Sequence, residues 1–157
     1  MANLNILTIL VEWIAVLAIG VIYGADVFFT VVGRKALSFS SDRALTEVLG
    51  RIHETADARI PLFGVIGAIS LVVLVVLNGL TSISGWFYVI AIVAMVLYLF
   101  IYIKISKPVN AKLTEAANTM KILNNARELQ NRWDSVIAIR ALLLTFILTL
   151  ICLSDIF

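Results

Sequence analysis

Cysteine, histidine and charged side chains are all scarce in this chain of 157 residues. The one cysteine, Cys152, excludes an intramolecular disulfide, a zinc ribbon and a dithiol redox motif. The one histidine, His53, excludes haem held by two histidines and the paired Glu-x-x-His motifs of helical di-iron sites. We therefore expect no metal site, and the sequence identifies no cofactor. Only 14% of the residues are charged and 62% are hydrophobic, which favours a membrane protein over a soluble domain.

Four apolar stretches, each with at least the roughly 20 residues that cross a bilayer, divide the chain. They cover residues 5–33, 60–80, 85–105 and 135–154. Eleven of the twelve basic residues lie in 34–59 and 104–132, and the twelfth is Arg140. Because basic loops stay in the cytoplasm, both of these segments are predicted to be cytoplasmic and both termini to lie outside. The expected location is a bacterial inner (plasma) membrane.

The predicted fold is all-α: a single domain over 1–157, forming an integral membrane four-helix bundle. Apolar residues between 109 and 133 recur at alternating steps of four and three, which predicts a helical cytoplasmic extension between spans three and four, continuous with span four. The first span has no basic region before it, so we expect it to remain in the mature protein.

Local signals predict how these helices begin and pack. Ser41 is expected to cap a short amphipathic helix, and Pro61 to lie in the first turn of span two. Gly20 and Gly24 form a small-xxx-small pair that would admit a neighbouring helix. The short amphipathic helix is predicted to share one apolar face among Leu45, Val48, Leu49 and Ile52.

Two acidic residues, Glu12 and Asp26, lie within span one on nearly the same helical face as Tyr23 and Thr30. Arg140 lies at a similar depth to Asp26, so these two are predicted to form an ion pair. The pair could serve only to fix helix register, or it could be functional, as ionisable groups in membranes often are. Glu12 has no basic residue at its depth. It could be neutral, hydrogen-bonded to Thr145 or Thr149, or part of a ligand or proton site.

His53 and Asp57 are one helical turn apart just before span two. The carboxylate could orient the imidazole as a general base requires, although such a pair is also ordinary on an exposed surface.

Three short motifs give the chain a resemblance to a known family. They are Gly24 followed by Arg34-Lys35-Ala36-Leu37, then Asn110-Ala111-Lys112-Leu113, and Trp133 seven residues before Arg140-Ala141-Leu142-Leu143. Together they resemble the anthrone oxygenase-like group of small four-span membrane proteins, over essentially the whole chain. The resemblance implies oxidation of a planar anthrone by dioxygen without an established metal. It places Asn110, Trp133 and Arg140 in the pocket wall, although Ala138 stands where typical members carry a histidine.

These observations predict a polar pocket toward the cytoplasmic half of the bundle. His53, Asp26 and Arg140 are the candidate catalytic residues. The candidate substrate-binding residues are Tyr23, Asn110, Trp133, Arg59 and Asp57. The predicted function is a membrane oxidoreductase or oxygenase acting on a lipophilic aromatic substrate.

The alternative is a non-enzymatic membrane protein that binds lipid or assembles with a partner chain. A proton-conducting transporter subunit is less favoured, because the sequence shows no inverted repeats. The expected partners are membrane lipid and a lipophilic small molecule, not nucleic acid, and a homo-oligomer is left open.

Overall fold

The computed structural model describes residues 2–154 and residue 156, with side chains from residue 6 onward. The described chain is helical almost throughout and contains no β-strand. Its α-helices, in chain order, are α1 (Ala2–Phe28), α2 (Arg34–Ser38), α3 (Asp42–Ala44), α4 (Gly50–Asn78), α5 (Ile83–Ile101), α6 (Lys107–Asn118) and α7 (Ala126–Ser154).

Three single turns of π-helix join some of these helices end to end, at Phe29–Gly33, Leu45–Leu49 and Tyr102–Ser106. The result is four long helical runs: Ile6–Ser38, Asp42–Asn78, Ile83–Asn118 and Ala126–Ser154. Each run is long and apolar enough to cross a membrane. The predicted all-helical membrane protein with four apolar helices is therefore confirmed at that level. The termini Met1 and Phe157 lie outside the described residues.

The chain divides into two compact units, the first made of residues 1–24, 61–98 and 142–157. In this unit small and branched residues, such as Ala15, Ile19 and Leu74, are buried between the helices. Large apolar residues point outward, with Leu17 70% and Val76 77% exposed. An apolar outer surface of this kind suits contact with lipid rather than water.

Glycine allows close helix packing in the first unit, but not at the predicted pair. A Cβ atom at Gly67 would lie 2.7 Å from Ile19 Cγ1, so the glycine is needed for the contact. A Cβ atom at Gly20 or Gly24 would meet nothing within 4 Å among the described residues. The helix contact predicted at Gly20 and Gly24 is therefore wrong, and the glycine that permits contact is on the next span.

The second unit comprises residues 25–60 and 99–141. Its hydrophobic core contains Leu45, Leu49, Val109, Leu113, Ala126, Leu129, Trp133 and Ile137. Gly50 brings α4 against α6, because a Cβ atom there would lie 2.5 Å from the carbonyl oxygen of Leu113. Val48 and Ile52 are exposed, so only Leu45 and Leu49 of the predicted apolar face belong to this core.

Of the two helix starts predicted from local signals, the one at Ser41 is confirmed and the one at Pro61 is wrong. Ser41 caps α3 as predicted, accepting a 3.2 Å hydrogen bond from the backbone N–H of Ala44. The helical run then continues through the π turn into α4, so Pro61 lies inside a helix and not in a first turn. Neighbouring helical residues on both sides hold the backbone in place despite the missing N–H of proline.

The predicted continuous helix from 109 to 133 is interrupted between α6 and α7. Met120 has a positive φ of 54°, and two backbone bonds close the end of α6: Met120 N–H to Ala117 O at 3.3 Å and Lys121 N–H to Ala116 O at 2.9 Å. This is a Schellman motif, in which methionine occupies the left-handed position that glycine usually fills. Because glycine is absent from this position, no sequence signal marks the end of the helix there.

Candidate functional site

A buried ion pair lies within the second unit. Arg140 Nη2 is 2.8 Å from Asp26 Oδ1, and each residue is about 5% exposed or less. The partners come from α1 and α7, and the pairing follows the prediction made from their similar depth. Arg140 Nη1 also donates a 2.7 Å hydrogen bond to Ser106 Oγ, at the end of the π turn Tyr102–Ser106.

Two aromatic rings complete the surroundings of this guanidinium. The Arg140 Cζ atom lies 5.6 Å from the centre of the Tyr102 ring and 5.8 Å from that of the Trp133 ring. Both distances fall within the range of cation–π attraction. Trp133 also meets Phe29 edge to face, with ring centres 5.1 Å apart.

Asp57 accepts hydrogen bonds from two side chains of the second unit. Its Oδ1 atom accepts hydrogen bonds from Tyr102 Oη at 2.8 Å and from Asn110 Nδ2 at 2.9 Å. Among the described residues these are the hydrogen bonds that Asp57 makes, so it does not orient His53 through one. The orientation of the imidazole by Asp57, which the sequence left open, is therefore not observed, although the two residues lie on one face of α4 and the charge of Asp57 acts on His53.

His53 precedes the apolar stretch of its helix and is only 3% exposed. Its imidazole packs against the indole of Trp133, with ring centres 5.4 Å apart. Burial lowers the pKa of His53 from 6.5 to about 4, opposed by the charge of Asp57 and reinforced by that of Arg140. The imidazole is therefore neutral near neutral pH, when one ring nitrogen carries a lone pair.

Four buried polar atoms of this group have no hydrogen-bond partner in the described part of the chain. They are Asp26 Oδ2, His53 Nε2, Asn110 Oδ1 and Trp133 Nε1. Buried polar atoms are nearly always satisfied in folded proteins, so such a concentration indicates that something polar binds here. We call Asp26, His53, Asn110, Trp133 and Arg140 the polar cluster.

Three of the predicted polar residues are not members of the polar cluster. Arg59 is exposed and makes no hydrogen bond or ion pair with the described residues. Tyr23 belongs to the first unit and is half-buried. Glu12, also in the first unit, accepts a hydrogen bond from Tyr88, whose hydroxyl is 2.6 Å from Ser154 Oγ.

Sequence reasoning missed two residues that support the site. They are Tyr102 and Ser106. A signal was available, because Tyr102, Ser106 and Asn110 recur at intervals of four and so share one helical face. Each of them contacts a residue that the sequence did identify, namely Asp57 or Arg140.

The fold and the polar cluster together define a helical membrane protein with a buried polar site. No cluster of three or more metal-ligating side chains occurs among the described residues. No protein-family model, no curated protein and no solved structure matches the chain. The resemblance to the anthrone oxygenase-like group therefore stays a prediction.

Proposed function

We propose that this protein is a small membrane oxidoreductase that binds a lipophilic aromatic substrate, of the anthrone or quinol kind, and oxidises it with dioxygen. The observation that carries the proposal is the polar cluster, in which four buried polar atoms without partners lie around a ring-flanked arginine. A flat molecule with an oxygen-bearing edge supplies partners for such atoms and contacts the rings with its faces.

Each residue of the polar cluster has a role in this proposal. Trp133 packs on the aromatic ring of the substrate and directs its indole N–H toward a substrate oxygen. His53, neutral and buried, accepts the proton that the substrate loses, and Asp26 is a second acceptor. Arg140 supplies positive charge near the oxygen on which negative charge develops, in surroundings that contain little water.

The chemistry balances with dioxygen as the oxidant. Removing a proton from the methylene carbon of an anthrone leaves an electron pair shared with the ketone oxygen. Dioxygen accepts electrons at that carbon to give a hydroperoxide, and loss of water leaves the quinone. One oxygen atom enters the new carbonyl, and the other leaves as water with the two methylene hydrogens. The protein residues hold the substrate and move the protons.

Dioxygen consumption with anthrone, measured on the full chain in lipid nanodiscs, tests the proposal. We expect anthraquinone to form and His53→Gln to lower the rate by about 100-fold, as removal of a general base commonly does. Trp86→Phe is the matched control, because Trp86 is exposed and belongs to the first unit.

An unchanged rate in His53→Gln, or a rate no higher than that of empty nanodiscs, would contradict the proposal. Mass spectrometry of the purified protein adds a second criterion. A retained phospholipid, with no aromatic molecule and no turnover, would favour the non-enzymatic lipid-binding alternative.

A further inference from the structure

The four unpartnered atoms of the polar cluster differ in what they can bind. Asp26 Oδ2 is a carboxylate oxygen and accepts hydrogen bonds. Asn110 Oδ1 is an amide oxygen and also accepts. The amide nitrogen of the same side chain donates to Asp57 at 2.9 Å. Trp133 Nε1 only donates, and His53 Nε2 donates or accepts according to its tautomer. Two of these four atoms, Asp26 Oδ2 and Asn110 Oδ1, therefore require a hydrogen-bond donor from a ligand.

All four atoms belong to side chains that are less than 5% exposed. They are also connected by contacts within one unit. The His53 and Trp133 rings are 5.4 Å apart, and Arg140 links Trp133 to Asp26. Asn110 joins this group through Asp57, which also binds the Tyr102 hydroxyl. Atoms buried to this degree need hydrogen-bond partners, and the polar edge of a bound ligand can provide the donors.

We infer that the site selects the hydroxyl-bearing, reduced form of its aromatic ligand, a quinol or an anthrol, over the corresponding quinone. The inference rests on the proposed function and names the substrate class for it. A hydroxyl group donates to Asp26 or Asn110 and accepts from Trp133, so it matches both kinds of atom. A quinone oxygen only accepts, and it would leave the two acceptor oxygens of the cluster buried without partners. The ketone oxygen of an anthrone also only accepts, so an anthrone belongs to the selected class as its enol tautomer, the anthrol, which loses its proton from oxygen to give the same anion.

This selection has a direct consequence for turnover. Oxidation removes the hydroxyl hydrogens that bind the acceptor oxygens. The product therefore binds more weakly than the substrate, and the site is cleared for the next molecule.

A matched set of three ligands tests the inference on the unaltered full chain in nanodiscs under anaerobic conditions. The probes are menadiol, its quinone menadione and the dimethyl ether of menadiol, which share one fused ring system. We expect menadiol to bind at least about 10-fold more tightly than the other two, as sites built for a hydroxyl discriminate strongly. Menadione or the ether binding as tightly as menadiol would overturn the inference while leaving the proposed function standing. No binding of any probe would overturn both.

A substitution gives a second, independent readout. Asp26→Asn keeps an oxygen for Arg140 but places an NH₂ donor where Oδ2 was, so the preference for menadiol over menadione should fall by about 10-fold. Glu12→Gln is the matched control, since it makes the same change in the first unit, and its preference should equal that of the parent. An unchanged preference in folded Asp26→Asn would overturn the inference. If that variant does not fold, the comparison of the three ligands on the parent still decides.

Discussion

At the scale of single residues, Arg140 shows how a charge is kept inside a membrane helix. Its guanidinium pairs with Asp26, donates to Ser106 and lies near the faces of Tyr102 and Trp133. Taking a charge out of water is costly, and the cost is recovered only when the geometry of its partners is good. The same network holds Arg140 in one orientation, which the proposed function requires.

The ion pair predicts a specific pattern of stability in two single variants and their combination. Arg140→Met should destabilise the protein by about 3–5 kcal/mol, because it leaves the Asp26 carboxylate buried without its cation. Adding Asp26→Asn should restore much of that loss. The measurement is unfolding of each detergent-solubilised variant, followed by circular dichroism. Strictly additive losses would show that the two side chains do not interact.

A pair of contacting side chains was predictable from the sequence only where the two had opposite charges and similar depths in the membrane. Asp26 and Arg140 have opposite charges and similar depths, so their pairing followed from the sequence. The contact between Glu12 and Tyr88 did not, because it depends on how each helix is rotated about its own axis. Tyr88 lies near the start of the third span, where tyrosine is often at the membrane surface, yet it is fully buried. A tyrosine can occupy either place, since it is apolar along the ring and polar at its tip.

At the scale of helices and turns, two of the three π turns contain or directly follow residues that contact the polar cluster or belong to it. Tyr102–Ser106 is itself such a turn, and Phe29–Gly33 follows shortly after Asp26. A π turn inserts one extra residue per turn and so changes the direction of the side chains that follow it. Ser106 ends the turn Tyr102–Ser106 and accepts a hydrogen bond from Arg140, and Asn110 follows it by four residues and donates to Asp57. No simple sequence pattern predicts such a turn, which limits prediction of this part of the site.

Gly50 offers a test of helix packing in the second unit. We expect Gly50→Ala to destabilise the protein by about 1–3 kcal/mol, because the new Cβ atom would lie 2.5 Å from the backbone oxygen of Leu113. Gly20→Ala is the control, since open space surrounds it and alanine favours a helix by up to about 1 kcal/mol. Thermal unfolding in detergent compares the two. Equal stability of both variants would contradict the close packing of α4 and α6.

Helix existence was predictable, whereas helix ends were not. Apolar length and composition identified the four spans because a bilayer requires both. The end of α6 was missed because methionine stands in the left-handed position of its Schellman motif. A helix start was predicted at Pro61, because proline is common in the first turn of a helix, but Pro61 lies within α4. Local rules state preferences, and tertiary packing in the whole chain overrides them.

At the scale of the whole molecule, the distribution of basic residues predicts its orientation. All twelve lysines and arginines belong to the second unit, as the sequence and the unit boundaries together show. The positive-inside rule therefore places the loop between α6 and α7 in the cytoplasm. The turn between α4 and α5, which contains Gly79, would then lie on the opposite side of the membrane.

Cysteine labelling in intact cells checks this orientation. The exposed Cys152 is first replaced by alanine, so that it adds no background signal. Thr81→Cys should then react with an impermeant maleimide, whereas Met120→Cys should react only after lysis. Both positions are exposed, Met120 to 88%, so access to the thiol depends on the side of the membrane alone. The reverse pattern would invert the topology.

The hydrogen bonds of α1 also impose an order on biosynthesis. Glu12 meets Tyr88, which is translated 76 residues later, and Asp26 meets Arg140, which follows it by 114. At typical rates of 5–20 residues per second, the first helix waits on the order of ten seconds for its last partner. A carboxyl group without partners is costly in hydrocarbon during that interval. Helix α1 is therefore synthesised well before the residues that complete its polar contacts, and it reaches its final surroundings only when the fourth helix arrives.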